Sequence, residues 1–124
     1  MTREEQLSPQ LGRLIDAAKA AAVGAAEGVA VLTATGEVYA GSSPETGSGS
    51  HAQGRCAAAR ALAQVPGAAG ENIAAAAVAL ADCTVETVRP CPLCAQELAG
   101  IEPDLPLVVK QLGRWVLVPL SDVV

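Results

Sequence analysis

The chain has no phenylalanine, one tryptophan, one tyrosine and one histidine, so aromatic residues make up 2% of it. Positive charge is also scarce, with 8 Lys+Arg against 13 Asp+Glu and a formal net charge of -5. A nucleic-acid backbone needs a basic surface, so this balance excludes DNA or RNA as the main partner. No run reaches about 18 apolar residues without a charge, which excludes a membrane-spanning helix. The opening Met1–Gln6 is polar and has no signal-peptide core. A cytoplasmic protein is the expectation.

What is present is small and apolar. The 124 residues suit a single domain spanning 1–124, and 51% are hydrophobic, as in a globular chain. Alanine alone accounts for 26 residues. Such a core is thin in bulky side chains. Close packing of small-faced helices, or burial in a homo-oligomer, would compensate.

Ser8-Pro9 reads as a helix start, a Ser cap followed by Pro in the first turn. Leu11, Leu14, Ile15 and Ala18 follow at helical spacing, and the helix should end near Val23. Residues 28–34 and 37–40 read as two strands of a hairpin turning at Thr35-Gly36. The Gly- and Ser-rich stretch 41–54 reads as a loop. Residues 55–64 are helical by propensity. The apolar run 73–81 has helical composition but sits between breakers, so it is expected to be a buried parallel strand. Pro90-Cys91-Pro92 opens another helix running to about Leu98. Strands at 105–110 and 114–120 close the order αββαβαββ, which implies a layered α/β sheet covered by helices.

Four cysteines, Cys56, Cys83, Cys91 and Cys94, occur in a chain expected to be reduced. There, clustered cysteines point to a metal or to catalysis rather than to disulfides. Cys91 and Cys94 lie three apart at a helix start, where the helix dipole favours thiolate. Cys56 starts another helix. Three thiolates can hold Zn²⁺ and leave a fourth position for water, the arrangement of catalytic rather than structural zinc. Reduced core cysteines, or a Cys91–Cys94 redox pair, are the competing readings. Cys83 reads as a small buried hydrophobe.

The pattern matches the zinc deaminase signature H-x-E…P-C-x-x-C, with Cys allowed for His. From about Ser8 to Asp122 the chain resembles the cytidine deaminase family, including its blasticidin-S deaminase branch. The resemblance rests on residues 32–41 (LTATGEVYAG), 56–62 (CAAARAL) and 90–96 (PCPLCAQ). It implies a three-layer fold, with a mixed five-stranded sheet and helices on both faces. It further implies a homo-oligomer, tetramer or dimer, acting on a small cytidine-like nucleoside. Cys56, Cys91 and Cys94 fall on the family's zinc ligands. Glu45 falls on the Glu of its N-x-E ribose-binding element, and Ser43 falls where that element has Asn.

The departures carry as much information. The family reads C-A-E, and that Glu shuttles protons between water and the base, a task worth roughly 10²–10⁴-fold in rate. Here the position is Ala58, and a methyl group carries no proton. A natural loss and an engineered Glu→Ala change read alike. In a second frame, His51-Ala52-Gln53 is a decayed H-x-E, which also lacks the Glu. His51 is a polar loop residue, a fourth zinc ligand or a proton carrier. Ala59 stands where the family has Arg, with Arg60 displaced by one, and Pro92 stands where it has Gly. No Phe is available to stack a base, and the chain ends near where the family's tail closes the site. The sequence thus implies a zinc-dependent, deaminase-like protein that is inactive or impaired. The alternative is a non-catalytic, zinc-stabilised nucleoside-binding or assembly module.

Overall fold

The stripe Leu14, Ile15, Ala18 and Ala22 forms the buried face of helix α1, Pro9–Ala22. A computed structural model describes residues 9–23, 27–43, 57–65, 73–80, 87–88 and 92–122, and the structural statements below concern these. Strand β1 (Glu27–Thr33) is buried along its whole length. It pairs antiparallel with β2 (Val38–Ser43) on one side and with β3 (Ile73–Leu80) on the other. Strand β3 runs parallel to β4 (Pro106–Gln111), which pairs antiparallel with β5 (Arg114–Pro119). The sheet is mixed and five-stranded, in the order β2-β1-β3-β4-β5. Helices α2 (Ala57–Leu62) and α3 (Pro92–Ala99) complete the α/β order, and a 3₁₀ turn follows at Leu120–Asp122.

Alternation along the strands divides the core into two layers. Ala30, Leu32, Ala75, Ala77, Ala79 and Val108 pack against α1, with Trp115 half-buried beside them. Val29, Val31, Ala76, Val78, Leu107 and Val109 pack on the other side, with Ala57, Ala58, Ala61, Cys94 and Leu98 of α2 and α3. Small residues let the helices come close. A Cβ on Gly28 would strike the carbonyl of Ala18 and lie 2.6 Å from the amide nitrogen of Ala22. A Cβ on Gly41 would lie 2.6 Å from the Ala61 nitrogen and 2.7 Å from the Ala57 oxygen.

Gly41 corrects an expectation. The Gly- and Ser-rich composition predicts loop from Gly41 onward, yet β2 continues through Ser43, with Gly41 opposite Val29 and Ser43 opposite Glu27. The glycine is there to admit α2, and it does not break the strand. The run from Ile73 is a strand despite its alanines. It is central in the sheet and has helices above and below, where backbone pairing and burial on both faces outweigh helix propensity. It is parallel to one neighbour only. No described helix is long and apolar enough to cross a membrane.

Candidate metal centre

Helices α2 and α3 lie on the same face of the sheet, and their first turns meet around one sulfur atom. Cys94 is the third residue of α3 and is fully buried, with Leu98 one turn later on the same buried stripe. Ala58 is the second residue of α2, also fully buried. Amides in a first helical turn have no partner within the helix. The Ala58 N–H instead donates to Cys94 Sγ at 3.4 Å.

A third group reaches the same sulfur. Glu27 opens β1 and shares the odd-numbered face with Val29 and Val31, so its side chain points into the layer of α2 and α3. It is only 3% exposed. Cys94 Sγ donates to Glu27 Oε1 at 3.2 Å. Glu27 is not among the residues that the sequence motifs single out. One signal could have found it: once the strand begins at 27, strict alternation puts residue 27 on the same face as 29 and 31.

Ser43, expected at the sugar site, is the cross-strand partner of Glu27, so its backbone lies at this same edge of the sheet. Arg60 donates from its guanidinium to the Ser42 carbonyl at 3.3 Å, tying α2 to the end of β2. Gln64 does the same one turn later, reaching the Ala40 carbonyl at 2.5 Å. Cys56 and Cys91, which directly precede α2 and α3 in the chain, lie outside the described residues, as do Glu45, His51 and Cys83. Among the described residues no three His, Cys, Asp or Glu side chains group so as to hold a metal. The described sulfur and carboxylate oxygen are buried and hydrogen-bonded to each other, and a cysteine sulfur is an atom type that can ligate zinc.

A crystal structure of cytidine deaminase from Burkholderia pseudomallei, determined at 1.6 Å, superposes on the chain with a TM-score of 0.67. The alignment covers 95% of this chain and 97% of that one, at 28% identity. The chain has the cytidine deaminase-like fold. Fourteen solved chains match it in all. No family model matches the chain, and no curated protein matches it. Ala58 and Cys94, which belong to the sequence elements C-A-A and P-C-x-x-C, are in direct contact.

Proposed function

We propose that this protein is a zinc-binding member of the cytidine deaminase-like fold. On this reading it is a single domain, 1–124, that binds a cytidine-like nucleoside and does not turn it over. The observation that carries the reading is Ala58. The residue at the family's acid/base position is fully buried and bonded to the sulfur of Cys94, and its side chain is a methyl group. Cys94 would hold the metal together with Cys56 and Cys91. Zinc, when bound, would supply Lewis acidity toward water. The Ala58 N–H donates to the Cys94 sulfur, a bond that would be charge-assisted if that sulfur were a thiolate. Ser43 and Glu45 would bind the sugar, the serine through its single hydroxyl. Nothing at position 58 can take a proton from water or pass one to a ring nitrogen or a leaving ammonia.

The fold's thin core and its resemblance support a homo-oligomer. The test is direct. The purified chain should carry one zinc per copy, bind cytidine in a calorimeter, and release no ammonia from it. Ordinary cytidine turnover would overturn the reading. A second reading, a zinc-stabilised module with no open metal position, is favoured by the Glu27–Cys94 contact.

A further inference from the structure

We propose that β5 is the edge through which two copies of this chain join, pairing antiparallel about a twofold axis at Val116. This rests on the homo-oligomer reading above and deepens it by naming the surface.

The two edges of the sheet differ. At the β2 edge, the Thr33 N–H donates to the Glu37 carbonyl, so the odd-numbered residues of β2 pair with β1. The Ala40 and Ser42 carbonyls therefore point outward, and Gln64 and Arg60 already donate to them. That edge is capped by side chains of α2 and the turn after it. β5 ends the sheet on the other side. Gln111 and Arg114 flank a two-residue turn, and its closing bond directs the Arg114 N–H toward β4. Alternation then turns the backbone groups of Trp115, Leu117 and Pro119 outward. Pro119 agrees, since proline sits in an edge strand with its nitrogen facing out. Among the described residues no group bonds to the outward N–H and C=O of Trp115 or Leu117.

Side chains and charge fit a second copy. Residues 115–119 carry no charge, the usual guard of an exposed edge. Leu117 is 44% exposed and Trp115 half-buried, because α1 lies mainly over β1, β2 and β3. The register that sets Trp115 opposite the partner's Leu117 uses every outward group of these two residues and asks no N–H of Pro119. It places Trp115–Leu117 pairs on one face and Val116 against the partner's Val116 on the other, the apolar cross-strand pairs that stabilise sheets. Charge selects the direction. Lys110 and Arg114 lie at the turn end of the hairpin, and Asp104 and Asp122 at the far end. An antiparallel partner brings basic end to acidic end at both ends of the seam, whereas a parallel one sets like against like.

The test uses the full chain under reducing conditions. The wild type should sediment as a dimer or a multiple of one. Its Trp115 and Leu117 amides should exchange slowly, and faster on dilution. Trp115, the only tryptophan, should shift its emission to the red as the copies separate. Leu117→Pro removes an outward N–H and no bond to β4. It should weaken association at least ~10-fold and halve the sedimenting mass, with an unchanged circular dichroism spectrum. Leu117→Lys, a guard charge at the same exposed site, should do the same. A wild type that is monomeric at every concentration overturns this inference and the homo-oligomer reading together, and leaves the zinc reading intact. An oligomer whose Trp115 and Leu117 amides exchange as fast as free ones overturns the β5 seam alone. So does an oligomer whose mass neither folded variant changes.

Discussion

Ala58 and Glu27 touch the sulfur of Cys94 through different groups, one through its amide and the other through its carboxylate. On the proposed function the defect lies at position 58, which has no proton carrier. Ala58→Glu should raise cytidine turnover by roughly 10²–10⁴-fold over the unaltered chain, the range for a restored acid/base, read from ammonia release. No gain in a folded, zinc-loaded variant would mean that more than this one residue has silenced the chemistry. A second residue-scale test concerns Tyr39. Its hydroxyl donates to Glu37 Oε1 at 3.3 Å. Desolvation of the half-buried ring, then the charge and hydrogen bond of Glu37, raise the phenol above its ordinary value of 10.0. The folded chain thus holds this proton more tightly than the unfolded one. The associated stability is present below about pH 10 and is lost as pH rises through the raised value. As the only tyrosine, Tyr39 can be followed by absorbance. Glu37→Gln should move its midpoint down.

At the scale of elements, the sequence is clearest where pattern and context agree. The stripe of α1 and the strands of the β4–β5 hairpin lie within a residue or two of where their periodicity places them. Gly41 was opaque, because a glycine that admits a helix and a glycine that ends a strand are the same letter. Glu27 was opaque for a related reason, since a single acid before an apolar run reads as a strand's solvated edge. Gly41→Ala puts a methyl group against the backbone of α2, which can yield only by moving as a unit. It should cost about 1–3 kcal/mol in urea unfolding and, by shifting Ala58, weaken zinc binding as well. An unchanged midpoint would mean that α2 sits less tightly on the sheet than the spacing requires. The β4–β5 turn offers the opposite sign. Leu112 and Gly113 have φ of 51° and 81°, as in a turn that needs two left-handed residues. Leu112 is 84% exposed, so its side chain repays little of that strain. Its N–H donates to Thr87 Oγ1, a backbone bond that any replacement other than proline keeps. Leu112→Asn should stabilise the chain by about 1 kcal/mol, raising Tm by roughly 4 °C.

For the molecule as a whole, the αββαβαββ order and the two-sided sheet could be read because helix propensity at 55–64 and the prolines at 90 and 92 set two helices between apolar runs. The layer spacing could not be read. Helices rest on Gly28 and Gly41, and α1 meets a β3 face made of Ala75, Ala77 and Ala79, so contact comes from close approach more than from bulk. A core of this kind gains less from each buried side chain than one rich in Leu and Phe. Any link that joins its layers therefore carries a larger share of the total stability. The proposed metal is such a link, since its expected donors, Cys56, Cys91 and Cys94, come from the sequence at the starts of both α2 and α3. A ligand present at ~100 times its Kd and bound only by the folded state adds about 2.7 kcal/mol. For a domain of this size that corresponds to roughly 10 °C in Tm. Chelating the metal should therefore lower Tm by about that amount, and restoring zinc should reverse the drop under reducing conditions. If the chain melts at the same temperature with and without chelator, the layers hold without a metal.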